Sequence, residues 1–332
     1  MRPFSYVRVD DAIAASQATG SGSAFLAGGT TLLDLMKLDV LRPEVLVDIN
    51  GLRDASPPAT MTQGGGMRLS AFASMAQIAA DPNIRRDYPV IAQSLNLAAS
   101  AQLRNMATLG GNVLQRTRCN YFRDPSWKAC NKREPGSGCA ALDGVNRKHA
   151  VLGVSAHCIA TYPGDFAQAL IALDAAVETI GPVGPRVIKF DALHRAPGDT
   201  PHVETNLAPS ELITAFILPR APWTRRSLYL KIRDRQSYEF ALASAAVALD
   251  MEEDSVRQAR IALGGIATKP WRAHAAEQAL VGKAINEETA NGASQVALAH
   301  ASPRPGNQYK IELGRRTLTR ALLQAASMEV RA

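Results

Sequence analysis

From Phe4 to Val9 apolar and polar residues alternate, the two-residue period of a half-buried strand. Asp10-Asp11 then precede an alanine-rich stretch that reads as a helix opened by an acidic cap. A short apolar strand follows at residues 24–27. It runs into Gly28-Gly29-Thr30-Thr31 and then a helical segment, Leu32–Lys37. Another strand, 45–49, stops at the turn signal Asn50-Gly51. The pattern predicts a strand–helix–strand–helix–strand unit over the first 50 or so residues. Pro57-Pro58 and Gly64-Gly65-Gly66 mark a break and a turn. A short strand is expected at 67–69, then helices at 75–80 and 90–100.

Periodicity is lost over 113–158, a polar, turn-rich stretch. It resumes with a strand from Ile159, then Pro163-Gly164-Asp165 and a helix over 166–175. The proline-bearing segment 195–210 reads as an exposed loop or crossover. Residues 228–250 alternate, break and become a long apolar run. A hairpin, Gly264-Gly265 and two or three amphipathic helices are expected over 255–330. No repeat or low-complexity tract is present, and the mixture predicts an α+β chain of several domains.

A length of 332 residues exceeds one ordinary core. An apolar content of 46% with 20% charged residues is that of a folded protein. The net charge of +7 is spread in basic runs no longer than two, without the aromatic–basic interleaving of single-strand binders, so no nucleic-acid partner is expected. No stretch approaches the length of a membrane span. The N-terminus has no signal-peptide pattern. A cytoplasmic product is expected, or a periplasmic one if a signal-bearing partner carries the chain across.

A strand that ends in Gly-Gly-Thr-Thr and re-enters as a helix suits a diphosphate. Glycine lets the backbone approach phosphate oxygens, and the first helical N–H groups donate to them. An ordinary turn explains the same residues. The loop matches neither the dinucleotide fingerprint nor the P-loop. A second such loop, Ala107-Thr108-Leu109-Gly110-Gly111-Asn112, again joins a hydroxyl, two glycines and an amide. Two loops of this kind can hold one extended cofactor.

Four strings, in order, carry a resemblance to a known family. They are Ala27-Gly28-Gly29-Thr30-Thr31-Leu32-Leu33 closed by Met36-Lys37, Leu103-Arg104-Asn105 through Gly110-Gly111-Asn112, Pro163-Gly164-Asp165, and Tyr229-Leu230-Lys231-Ile232-Arg233-Asp234-Arg235. Together they resemble the FAD subunits of xanthine dehydrogenase-type molybdenum hydroxylases over nearly the whole chain. The resemblance implies a two-subdomain FAD-binding fold of the vanillyl-alcohol-oxidase type, with a smaller C-terminal α+β domain. The expected limits are 1–55, 56–222 and 223–332, with an insert at 113–160. It implies that Leu26, Ala27, Gly28, Gly29, Thr30, Thr31, Leu32 and Leu33 form the FAD pyrophosphate loop, joined by Thr108, Gly111 and Asn112 of the second loop. Asp165 would accept from a cofactor hydroxyl or orient the second loop, and an ordinary helix N-cap is its bland alternative. Ile213 would touch FAD through its backbone and Lys231 would approach the flavin, unless Lys231 is a solvated strand-end lysine.

All four cysteines, Cys119, Cys130, Cys139 and Cys158, fall in the aperiodic stretch, separated by 10, 8 and 18 residues. Disulfides need an oxidising compartment. A zinc site usually shows a tight Cys pair, and a cubane cluster needs only four converging thiolates. Spacing alone leaves zinc, cluster and inert cysteines open. The insert is similar, however, to that of FAD subunits of periplasmic aldehyde oxidoreductases and of the 4-hydroxybenzoyl-CoA reductase subunit, which bind a [4Fe–4S] cluster. The resemblance implies four thiolate ligands here, with His149 and His157 as rival ligands. It further implies a heterotrimer with a large molybdenum-cofactor subunit that oxidises an aldehyde and a small [2Fe–2S] subunit. This chain would pass electrons to an external acceptor, and no residue in it is a candidate for the aldehyde chemistry. The alternatives are a stand-alone flavin oxidase and a non-redox structural metal-binding or assembly protein.

Overall fold

The computed structural model describes residues 1–55 and 57–330. The first unit contains β1 (Ser5–Arg8), α1 (Ala12–Ala18), β2 (Ser23–Leu26), α2 (Leu32–Lys37) and β3 (Val45–Asp48). The strands are parallel in the order β1-β3-β2. The hydrophobic pattern predicts the succession of elements, and two strand–helix–strand crossovers produce this order. Asp11 caps α1 by accepting from the Ala14 N–H at 2.7 Å. The expected boundary between 55 and 56 falls at a residue outside the described ones.

The second unit contains β4 (Ala59–Met61), β5 (Met67–Ser70), α3 (Met75–Ala80), α4 (Pro82–Asp87), α5 (Pro89–Asn96), α6 (Ala101–Met106) and α7 (Leu109–Val113). After the insert, which holds only the single-turn α8 (Asn120–Arg123), come α9 (Phe166–Ala172), β6 (Ala176–Gly181), β7 (Gly184–Lys189) and β8 (Leu212–Leu218). The strands form an antiparallel sheet, β4-β5-β8-β6-β7. Two sequence expectations are corrected here. The helix expected over 90–100 stops at Asn96; the chain turns through Ala99, with a positive φ of 49°, and a separate helix, α6, starts at Ala101, capped by the Ser100 hydroxyl, which accepts from the Leu103 N–H. No strand starts at Ile159. Residues 159–162 are irregular, and the Tyr162 N–H donates to Ala267 O of the last domain at 3.0 Å. The β6–β7 hairpin and β8 carry no signal that the hydrophobic pattern exposed.

The last unit contains β9 (Ser227–Ile232), β10 (Ala243–Glu252), β11 (Ser255–Gly264), β12 (Trp271–Arg272), α10 (His274–Leu280), α11 (Glu287–Ala297) and α12 (Tyr309–Ala326). Its antiparallel sheet runs β12-β11-β10-β9. The long apolar run is β10, buried on both faces, the arrangement that replaces alternation with continuous hydrophobicity. Ala243, Ala245, Val247 and Leu249 pack into the core under α10–α12, while Ala246 and Ala248 join the core of the second unit. Alanines on the latter face let α5 and α9 approach the sheet closely, so the last two units share one interior.

The insert is fastened at both ends. Asp34 of α2 pairs with Arg118 at 3.4 Å and Arg123 at 2.9 Å, and Leu35 and Val40 pack on Phe122 and Cys130. At the other end, the start of α12 grips its backbone. Asn307 Nδ2 donates to Ala150 O at 3.1 Å, and the fully buried Lys310 donates to Lys148 O at 3.0 Å and Gly265 O at 2.7 Å.

Candidate functional site

The two glycine loops meet. A Cβ on Gly28 would lie 2.0 Å from Met106 O and 3.1 Å from Ala107 Cα, so the first loop lies directly on the backbone that leads into the second. Gly28 is therefore demanded by loop-to-loop packing, a reason that sequence reasoning did not find. Gly29 has a φ of 70°, in the left-handed region glycine tolerates. Two side chains from the turn after β3 secure the junction. Asn50 Nδ2 donates to Ala27 O at 3.1 Å, and Arg53 donates to Met106 O at 3.2 Å. Thr108 caps α7, its hydroxyl accepting from the Gly111 N–H at 3.1 Å. Thr31 stands at the start of α2 without capping it.

Between the loops lies a cleft of about 220 Å³. Ala27, Gly28, Gly29, Thr30, Thr31 and Leu32 form one wall, and Thr108, Gly110 and Gly111 another. Ile213 lines it from β8, and Phe25, Phe72 and Arg116 complete it. Leu26 and Leu33 flank this wall without lining it, and Leu33 lies behind Gly29. Asn112 is turned toward Met75, and its Oδ1 is a buried acceptor with no hydrogen-bond partner.

Asp165 and Lys231 lie away from this cleft, joined to each other. The Asp165 side chain does not cap α9, which corrects the helix-cap alternative. It accepts from Lys231 Nζ at 2.7 Å and Tyr229 Oη at 2.5 Å. Lys231 also donates to Leu97 O at 3.1 Å. Lys231 is not a solvated strand-end residue, because its side chain is 1% exposed. Burial pushes the Asp165 carboxyl up, against the pull of Lys231 and Tyr229. The pair locks β9 to the start of α9 and to the turn after α5.

The four cysteines converge. Cys119, Cys130, Cys139 and Cys158 line one void of about 10 Å³, no larger than one water needs. All four are free thiols. Cys130 and Cys139 sit opposite each other in an isolated antiparallel bridge. Asn131 braces them, accepting from the Gly138 N–H at 2.8 Å and donating to His157 O at 3.0 Å. Gly136 and Gly138 have φ of 88° and 97°, which bends the connection back. Backbone N–H groups face the sulfurs: those of Phe122 and Tyr121 at Cys119, Ala141, Ile159 and Leu142 at Cys139, and Ala160 at Cys158. Burial pushes the Cys119 thiol up to about 11. Cys139 and Cys158 lie against each other, and their mutual interaction lowers the Cys139 thiol and, with burial, raises that of Cys158. His149 Nε2 lies 3.2 Å from Cys119 Sγ, whereas His157 faces Asp199 at 3.3 Å. Among the described residues, no three His, Cys, Asp or Glu side chains are grouped closely enough for a single metal ion.

Residues 2–221 match the family described as the FAD binding domain in molybdopterin dehydrogenase, and residues 228–328 match the CO dehydrogenase flavoprotein C-terminal domain. The chain is 45% identical over 328 residues to the aldehyde oxidoreductase FAD-binding subunit PaoB of Escherichia coli (strain K12), covering 98% of this chain and 99% of that protein. The chain belongs to the FAD-binding medium subunits of xanthine dehydrogenase-family molybdenum hydroxylases. It is an oxidoreductase subunit, and its cofactor is FAD. It is also 27% identical to the carbon monoxide dehydrogenase medium chain of Afipia carboxidovorans over 97% of this chain and 96% of the other. The fold agrees with a solved structure, reconstituted CO dehydrogenase from Oligotropha carboxidovorans. That comparison has a TM-score of 0.76 and 25% identity, covering 99% of this chain and 100% of the other.

The donor chemistry of the cleft fits the family's cofactor. Glycine backbone and threonine hydroxyls line it, Phe25 and Phe72 offer apolar surface, and Arg116, paired with Glu204, borders it. Arg53, Asn50, Phe72 and Arg116 escaped sequence reasoning because each lies outside the glycine strings and reaches the site only through the fold. Among the described residues, no helix is long and apolar enough to cross a membrane.

Proposed function

We propose that this chain is the electron-transfer subunit of a molybdenum-dependent aldehyde oxidoreductase. In this reading it takes electrons from [2Fe–2S] clusters of a small partner subunit and passes them to an external acceptor. A large molybdenum-cofactor subunit carries the aldehyde chemistry. The observation that carries the reading is the near-full-length 45% identity to an aldehyde oxidoreductase FAD-binding subunit. FAD supplies the link between one- and two-electron transfer. The chain's residues supply position: the N–H groups and hydroxyls of the loop 26–33 and the Thr108 hydroxyl hold the pyrophosphate, with the side-chain-free Gly111 letting it approach, Asn112 as an acceptor and the Ile213 backbone against the cofactor. Asp165 and Lys231 act from behind, by fixing the last domain against the second loop's unit. The reading places the complex in the periplasm if a partner carries the export signal.

A [4Fe–4S] cluster held by Cys119, Cys130, Cys139 and Cys158 is part of the same proposal. Its support is the convergence of four free thiols on one void and the array of N–H donors around the sulfurs. A cubane spreads its thiolates farther apart than a single ion does, so the absence of a single-ion group does not count against it. The four thiols match the donor set of a cubane. A cluster supplies one-electron transfer, and each thiol must give up its proton to bind. The test is anaerobic purification from the native host, with flavin, iron and acid-labile sulfide assayed and co-purifying subunits identified. Expected are FAD, two partner subunits, one of them carrying molybdenum, and four irons and four sulfides beyond those of the [2Fe–2S] partner. An active, flavin-free monomer, or one zinc per chain without sulfide, overturns the reading.

A further inference from the structure

We propose that His149 donates a hydrogen bond from Nε2–H to the Cys119 sulfur and so sets the reduction potential of the cluster. The inference rests on the cluster reading above and assigns a positioning residue within it. His149 Nε2 stands 3.2 Å from Cys119 Sγ. The ring is buried, and its Nδ1 has no hydrogen-bond partner. A thiolate ligand has no proton to give, so only the tautomer with hydrogen on Nε2 makes this contact. That tautomer leaves Nδ1 as a bare acceptor and spares the site a buried, unpaired N–H.

The ring is held by the fold. The His149 N–H donates to Asn146 O at 2.9 Å. The neighbouring carbonyls are taken up from α12, Lys148 O by Lys310 and Ala150 O by Asn307. Asn146 is itself tied to the turn that leads into α12, accepting from the Gly306 N–H at 3.1 Å. On the far side, Tyr121 faces the imidazole with ring centres 6.1 Å apart. His149 therefore belongs to a segment clamped by the C-terminal domain, and its approach to Cys119 is not the chance rotamer of a mobile loop. Reduction adds one electron to the cluster and places more negative charge on its sulfurs. A neutral N–H donor stabilises that state more than the oxidised one, and so raises the potential.

The test compares wild-type holoprotein with His149→Gln, which retains an N–H donor, and His149→Leu, which does not. Iron and sulfide are assayed, and the cluster is titrated with dithionite under electron paramagnetic resonance. The Leu variant should keep its iron and be harder to reduce, on the order of tenfold in the reduction equilibrium, or about 59 mV for one electron. The Gln variant should recover most of that shift. An unchanged potential in an iron-replete Leu variant overturns the proposal. Should the Leu variant lose its iron, wild-type protein labelled with 15N-histidine decides. A weak nitrogen coupling that the Gln variant lacks supports the hydrogen bond. No coupling, or one as strong as a direct ligand's, overturns it. A wild-type complex whose iron and sulfide do not exceed those of its [2Fe–2S] clusters refutes the cluster reading itself, which these assays separate from the role of His149.

Discussion

Lys231 and Asp165 form an ion pair at 2.7 Å with side chains only 1% and 4% exposed, joining the last domain to the FAD-binding part across their shared core. A charge left alone at that depth is costly. Asp165→Asn or Lys231→Met should each destabilise the chain by about 3–5 kcal/mol, because the remaining partner stays buried and unpaired. The double variant should lose less than the two single changes added together. Chemical denaturation of the four proteins checks this, and strict additivity would rule out the coupling.

Gly28 and Gly111 should not respond alike. Alanine at Gly28 sets a Cβ 2.0 Å from Met106 O, so the two loops must separate, whereas at Gly111 the nearest atom is the Thr108 hydroxyl at 3.0 Å. Gly28→Ala should purify with little FAD. Gly111→Ala should retain a substantial share. The flavin-to-protein absorbance ratio distinguishes them, and equal retention would remove the loop contact as the cause.

Thr108→Ala removes the cap of α7, which should cost about 1 kcal/mol. Serine keeps the hydroxyl and should restore most of it. The comparison of Thr108→Ala with Thr108→Ser by thermal unfolding is direct. No difference between them would assign the threonine to packing alone.

His194 makes stability depend on pH. Its ring is buried beside Tyr162 and Phe190, and burial pushes it down from 6.5 to about 4. Between those values the unfolded chain binds a proton that the folded chain does not. Stability therefore falls as pH drops through 6.5 toward 4, by at most about 3 kcal/mol, and this contribution levels off below. His194→Phe should flatten the stability–pH curve over that interval. An unchanged slope would locate the acid sensitivity elsewhere.

Serine at Cys119, Cys130, Cys139 or Cys158 should lower iron content and loosen the insert while leaving the distant glycine loops able to hold FAD. Full iron in all four variants would exclude these residues as ligands.

Much of this protein is legible from its sequence, for a physical reason in each case. The parallel first unit follows from hydrophobic alternation broken by Asp11 and Gly28-Gly29. Strand β10, buried on both faces, announces itself as an unbroken apolar run. The glycine strings and the crowding of every cysteine into one aperiodic stretch mark the two candidate sites, since both are local features of the chain, although spacing alone left the role of the cysteines open. Tertiary structure alone decided which distant groups meet. It put Met106 O against Gly28, paired Asp165 with Lys231 and Tyr229 where a helix cap had been an open alternative, and brought His149 to Cys119 under the grip of α12. These contacts join positions tens of residues apart, and no local propensity or spacing encodes them. They exist only once the second and last units close on a common core and fix the insert between them.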